Sequence, residues 1–178
     1  MRTRWLLLLA MLPLACGAQD DLAAELLRRI NHHRAGLGLP PIPGSPALTQ
    51  VAQAHVDDLE RNPPAGACNG HSWSPSRRWK ACCYTDDHAK AACMWNKPRE
   101  ITGGAYPGDG FEIWAWRSGR MTVEFAIEGW TTSPAHHDVI ANRGPWAAVR
   151  WQAMGAAVST RYAVVWFGRE PDGTTIGR

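Results

Sequence analysis

The spacing of apolar residues predicts an amphipathic helix near the start of the chain. Leu22, Leu26 and Ile30 recur every four residues, which places them on one helix face. Gly36 and Gly38 follow the last of these positions, and glycine is a common residue at the carboxyl end of a helix. We therefore predict that the first helix ends near Gly36.

A second helix is predicted from its own start signal. Ser45 is a good N-cap residue, and Pro46 suits the first helical position. The helix should end before the Asn62-Pro63-Pro64 segment. One face of it is apolar apart from a histidine, and consists of Leu48, Val51, Ala52, His55 and Leu59. The position of His55 on this face predicts a core histidine rather than a ligand.

The second half of the chain contains signals for both kinds of element. Val123 to Trp130 has helical spacing, and Ser133-Pro134 should interrupt it before a short helical segment from Ala135 to about Asn142. Residues 147–158 and 161–168 are rich in Val, Trp, Tyr and Phe, and are predicted to form a β-hairpin. Residues 65–110 show no sustained period, and we interpret them as a disulfide-stapled loop region with short strands.

The last predicted strand determines the fold class. In residues 162–167 apolar side chains occupy both alternating faces, which suits a strand covered on two sides. Helices must then lie above and below the sheet, with the first two helices and the third as the covers. The sequence therefore predicts an α/β fold, a three-layer α/β/α sandwich with a small, mostly antiparallel sheet.

The amino terminus has the features of a secretory signal peptide. Arg2 and Arg4 precede an apolar run that is too short to span a bilayer, and small residues up to Ala18 follow it. We predict cleavage after Ala18, which leaves residues 19–178 as a single domain that is secreted or periplasmic. The alternative is an outer-envelope lipoprotein, because Cys16 stands where a lipid anchor could be attached.

Charge excludes one class of partner. Loss of Arg2 and Arg4 with the signal peptide lowers the formal net charge from +3 to +1. A chain so close to neutrality lacks the basic surface expected of a nucleic-acid-binding protein.

The cysteines are typical of an exported protein. The four that remain after cleavage, Cys68, Cys82, Cys83 and Cys93, lie close together in the sequence. An even number in an oxidising compartment predicts two disulfides. The adjacent Cys82 and Cys83 should not pair with each other, and the two remaining connectivities stay open. Zinc ligation is less favoured, since the spacing lacks two close ligand pairs.

Two histidines and a glutamate are the candidate functional residues. His71, Glu112 and His136 lie in three separate segments beside Gly, Pro and Trp. Imidazole and carboxylate can bind a metal or transfer a proton near neutral pH. Two imidazoles and a carboxylate with an open water position would suit zinc. Alternatively, Glu112 orients an imidazole by a hydrogen bond without any metal, or loop backbone satisfies all three side chains.

Four stretches together resemble the CAP superfamily, the secreted domains that include cysteine-rich secretory proteins, antigen 5 and plant pathogenesis-related proteins, in its bacterial branch. The Gly110 to Ile113 stretch resembles the family's Gly-Glu-Asn motif, and Trp130 to His136 resembles its Trp-Asn-Ser-Pro-Gly-His motif. Two helical stretches complete the match, Ile30 to Arg34 with Gly38 to Pro41, and Ala47 to His55.

The resemblance implies an α/β/α sandwich with a surface cavity where two histidines and two glutamates meet. His71, Glu112 and His136 match three of these positions, whereas Ser133 stands where animal and plant members have the second glutamate. We expect Ser72, Trp73 and Ser133 to lie at the same cavity, and His88 is a further possible contributor. The cavity is thus a candidate site for zinc.

Three functions are compatible with these residues. The first is a non-catalytic module that binds a small ligand, a lipid or a divalent metal, which is favoured because the chain has no recognised nucleophile motif. The second is a metal-assisted hydrolase acting on cell-envelope or peptide substrates, with Glu112 as candidate catalytic base. The third is a scaffold that binds a cell-envelope component. Tryptophans crowd the loop region and could line a groove, although space filling is the simpler explanation.

Overall fold

The computed structural model describes residues 15–173, with side chains described from residue 19 onward. The predicted signal peptide and the Cys16 anchor lie outside the described residues, apart from the backbone of residues 15–18 in the first helix. Within the described residues, no helix combines the length and apolarity needed to cross a membrane.

In the described part of the chain, helices come before and after the first strand, and two further strands follow the last helical turn. The helices are α1 (Ala15–Gly36), α2 (Pro46–Arg61), α3 (Ala91–Trp95), α4 (Lys97–Thr102), α5 (Val123–Thr132) and α6 (Pro134–Ala141), and a 3-10 turn spans Gly144–Trp146. The strands are β1 (Gly110–Trp116), β2 (Ala153–Val158) and β3 (Tyr162–Gly168).

The helix starts follow the predicted local chemistry. The Ser45 hydroxyl accepts a hydrogen bond from the backbone N–H of Leu48 at 3.0 Å, and Pro46 opens α2. Ser133 separates α5 from α6, again with a proline at the first helical position. The predicted bounds of the second and third helices are therefore confirmed to within two residues.

The sheet is antiparallel and has the order β1-β3-β2. The central strand β3 is buried along its whole length and alternates between two cores. Tyr162, Val164 and Trp166 pack with α2, whereas the intervening Ala163, Val165 and Phe167 pack with α1, α5 and α6. The three-layer α/β/α sandwich is thus confirmed, with α2 alone among the long helices on one face.

Three local predictions differ from the structure. The sequence did not predict the edge strand β1, on which Glu112 lies opposite Trp166. The first hairpin strand begins at Ala153 rather than Ala147, because backbone donors of Ala147 and Val149 are used in turns with Gly144 and Trp146. The loop region also contains the short helices α3 and α4.

Two disulfides cross-link this loop region, as predicted. Cys68 pairs with Cys83, and Cys82 pairs with Cys93. The structure therefore chooses one of the two connectivities that the sequence left open.

Close packing of α2 on the sheet predicts a sharp difference between two glycines. A Cβ atom on Gly155 would lie 2.2 Å from backbone atoms of Leu48 and Thr49, whereas one on Gly129 in α5 would meet no atom within 4 Å. Gly155→Ala should lower the free energy of unfolding by at least about 2 kcal/mol, since backbone must move. Gly129→Ala should raise it by about 0.5–1 kcal/mol. Urea unfolding measures both, and similar values would contradict the described packing.

Candidate functional site

Glu112 is the centre of the candidate site. The side chain is buried, on the face of β1 that is turned toward α2. Its Oε1 atom is in a short hydrogen bond with Nδ1 of His55, and its Oε2 atom lies 2.8 Å from Nδ1 of His71. Both carboxylate oxygens therefore contact imidazoles.

His55 contributes both of its ring nitrogens to the buried network. Its Nε2 atom lies 3.0 Å from the backbone carbonyl oxygen of Ser72, which can only accept a hydrogen bond, so this nitrogen carries a hydrogen. Burial alone raises the pKa of Glu112, but the neighbouring His55 and His71 outweigh it and hold that pKa below its usual value. The second ring nitrogen of His55, Nδ1, is engaged by Glu112, so both nitrogens have buried partners.

His71 presents its other nitrogen away from Glu112. Because Nδ1 is engaged by the carboxylate, Nε2 is the ring nitrogen that is left for a ligand. The ring lies against Tyr84 at a centroid distance of 5.0 Å and against Trp114 at 6.3 Å. The preceding Gly70 is required here, since a Cβ atom would lie 2.1 Å from the Trp114 ring.

His136 lies in the first turn of α6. Its Nδ1 atom is 2.9 Å from Oγ of Ser133, the residue at the position of the second family glutamate. Burial, followed by the proximity of His71, lowers the pKa of His136 below the usual value for histidine. His136 is therefore neutral at pH 7, and the Ser133 hydroxyl can orient it without supplying charge.

These groups border one cavity of about 440 Å³, which we call the histidine cavity. Its wall is mainly apolar and aromatic, with imidazoles as its basic groups. It is lined by His71, Tyr84, His88, Ala91, Met94, Trp95, Phe111, Glu112, Ile113, Ala135, His136, Asp138, Val139, Pro145 and Trp146.

The structure brings His71, Glu112 and His136 together at this cavity. The three neighbours that we expected there, Ser72, Trp73 and Ser133, do not line the cavity but lie behind its wall. The backbone carbonyl of Ser72 accepts from His55, and Ser133 contacts His136. Trp73 is buried.

Two histidines have larger roles than their sequence positions indicated. His55 is a fully buried core residue, as predicted, but it also stacks on Trp73 at 4.1 Å and contacts Glu112. His88 lines the cavity with a left-handed backbone (φ 58°), and its Nδ1 atom lies 2.9 Å from the Tyr84 hydroxyl. Neither contact has a signal in helical periodicity.

The donor set fits a metal ion only weakly. Across residues 19–173, no group of three or more His, Cys, Asp or Glu side chains is arranged to hold a metal. Glu112 uses both oxygens on imidazoles. The groups left for a metal are His71 and His136, with the Glu112–His71 bond resembling the carboxylate–histidine pairs that support metal ligands.

Comparisons with known proteins identify the family. The profile of the CAP family, described as the cysteine-rich secretory protein family, matches residues 27–166. The chain belongs to the CAP family. A comparison with curated proteins gives no significant match.

Solved structures of bacterial proteins share the fold. An extracellular SCP-domain protein from Bacillus anthracis has a TM-score of 0.61 at 14% identity, covering 90% of this chain and 45% of that one. A cysteine-rich secretory protein from Staphylococcus aureus gives 0.58 at 14% identity, covering 89% and 40%. An outer surface protein from Borrelia burgdorferi gives 0.54 at 16% identity, covering 83% and 91%. The chain thus spans less than half the length of the first two.

The buried His55–Glu112 pair predicts strong coupling between these residues. His55→Leu should lower the free energy of unfolding by about 3–5 kcal/mol, because it leaves one oxygen of a buried carboxylate without its partner. Combining His55→Leu with Glu112→Leu should recover a large part of this loss. Urea unfolding of the four proteins measures the coupling. Additive losses would show that the two residues do not act as a pair.

The pKa of His136 predicts how this residue affects stability at acid pH. Its pKa is lowered in the folded protein and is about 6.5 in an unfolded chain. As the pH falls toward 6.5, the unfolded chain therefore takes up the proton on His136 before the folded chain does. The free energy of unfolding then decreases as the pH decreases through this value. Between pH 7.5 and pH 5.5, the wild type should lose more unfolding free energy than His136→Gln. An NMR titration that places the His136 midpoint above 6.5 would contradict this prediction.

Proposed function

We propose that the chain is an exported binding protein whose histidine cavity holds a small amphipathic ligand without turnover. The observation that carries the proposal is the engagement of both Glu112 oxygens by imidazoles. A carboxylate in this state is a poor base toward substrate, because a proton must displace an existing hydrogen bond.

The cavity wall supports an amphipathic ligand. Met94, Trp95, Phe111 and Trp146 offer apolar surface for a hydrocarbon or ring. The Nε2 atom of His71, which no described residue engages, offers a polar contact for a head group. We therefore favour a fatty acid or a similar lipid fragment of the cell envelope over a highly charged ligand.

Export is supported by two independent features. Two disulfides in one short region are characteristic of oxidising compartments. The similar solved structures include proteins described as extracellular and as an outer surface protein. Anchoring of the domain to a membrane surface through Cys16 is a variant of this proposal.

A metal-dependent hydrolase is the second candidate. It is favoured by one observation, the hydrogen bond from His71 to a buried carboxylate, which would strengthen Nε2 as a zinc ligand. His71 and His136 would hold the zinc, which would supply a Lewis acid. Water would then have to complete the coordination shell of the zinc.

A dansyl-labelled medium-chain fatty acid tests the binding proposal. The mature protein should bind it saturably, with energy transfer from cavity tryptophans to the dansyl group. Trp146→Ala should weaken binding about tenfold, since it removes apolar contact area. Trp116→Ala is the matched control, because Trp116 is 48% exposed and lies outside the cavity.

Two outcomes would overturn the proposal. One is the absence of saturable binding by the wild type, and the other is an equal loss of affinity in both tryptophan variants. The zinc content of the same samples distinguishes the metal-dependent hydrolase from the binding protein. Stoichiometric zinc that is lost in His136→Ala, together with hydrolysis of envelope peptides that a chelator stops, would favour the hydrolase.

A further inference from the structure

A second cavity, of about 590 Å³, lies between the loop after α1 and the segment that joins α6 to β2. We call it the arginine pocket. Its side chains include two arginines, Arg34 and Arg150, and the apolar Leu39, Pro41, Val149 and Trp151. No carboxylate of residues 19–173 lines it.

Arg34 is a buried cation with unused hydrogen-bond donors. The residue is only 3% exposed to solvent. The Nε atom donates to the carbonyl oxygen of Pro40 at 3.1 Å, and Nη1 donates to the carbonyl oxygen of Ile140 and to Oδ1 of Asn142, both at 2.6 Å. A guanidinium has five N–H groups, so these bonds account for three. The two N–H groups on Nη2 have no acceptor in the described part of the chain.

The free Nη2 group borders the pocket rather than the sealed core. Among described side chains, the polar atoms that are both sealed from solvent and without a partner are Nε1 of Trp73 and Nε1 of Trp166. Nη2 of Arg34 also lacks a partner but is not among these sealed atoms, so some of its surface is open. Arg34 lines the pocket. Its N–H groups are therefore accessible from that cavity.

The charge of Arg34 is not neutralised by the protein. All three acceptors are uncharged, and no ion pair involves Arg34 within residues 19–173. Burial lowers the pKa of Arg34, which is the expected effect of desolvating a cation. An anion in the pocket would supply the missing charge and accept the unused N–H groups, which is a favourable arrangement for guanidinium.

Arg150 and the apolar wall indicate the rest of the ligand. Arg150 is exposed and has no ion-pair partner among the described residues, so it can supply a second positive charge at the pocket mouth. The Trp151 ring is fixed by a 2.9 Å hydrogen bond from Nε1 to the carbonyl oxygen of Val139. We infer that the arginine pocket binds a small organic carboxylate, with its anionic group on Arg34 and Arg150 and its apolar part against Val149 and Trp151.

Benzoate is the probe that tests this inference, and the mature wild-type protein is the sample. Titration followed by NMR should shift the Trp151 indole resonance saturably. Arg150→Ala should weaken binding about fivefold, because one charge-assisted contact is lost. Arg34→Lys should weaken it at least as much, since lysine keeps the charge but lacks the guanidinium fork. Arg143→Ala is the control, because this exposed arginine on the same segment does not line the pocket.

The design separates the inference from its alternatives. Because Arg34 also bonds the end of α6, Arg34→Lys could lower stability, whereas the exposed Arg150 can be replaced without this complication. Linear, non-saturating shifts in the wild type would overturn the inference, as would unchanged affinity in Arg150→Ala. Inorganic phosphate that binds as tightly as benzoate would overturn the role given to the apolar wall.

Discussion

A carboxylate buried between two imidazoles connects three parts of this molecule. Glu112 belongs to the edge strand β1, His55 to α2 and His71 to the disulfide-linked loop region. A buried charge is costly unless it is paired and hydrogen-bonded. The position of β1 beside α2, and that of the loop over both, therefore depend on keeping this contact intact.

The same contact limits the chemistry of the site. One oxygen of Glu112 is engaged by His55 and the other by His71, so neither is free for a substrate. What remains for a ligand is Nε2 of His71 and the ring of His136, in a mainly apolar cavity. Such a mainly apolar surface favours recognition by shape and by a few placed hydrogen bonds.

The sequence predicted features that depend on local chemistry. The Ser45-Pro46 start of α2 and the two-sided apolar pattern of β3 follow from rules that act over a few residues. Motif resemblance also brought His71, Glu112 and His136 to one site. The His55–Glu112 contact was missed, because periodicity identifies a buried face and not the partner it meets. The strand β1 was missed as well, since its partner β3 lies about fifty residues later.

The disulfides explain how a region with so little regular structure can form a cavity wall. Tyr84, Met94 and Trp95 line the histidine cavity from this region, and each is within two residues of a paired cysteine. The sequence separations of 15 and 11 residues correspond to closed loops that each contribute about 3 kcal/mol in the chain-entropy description. The cross-links therefore hold these side chains in place before any ligand arrives. A wall ordered in advance lowers the entropic cost of binding, which suits a cavity whose ligand contacts are mostly apolar.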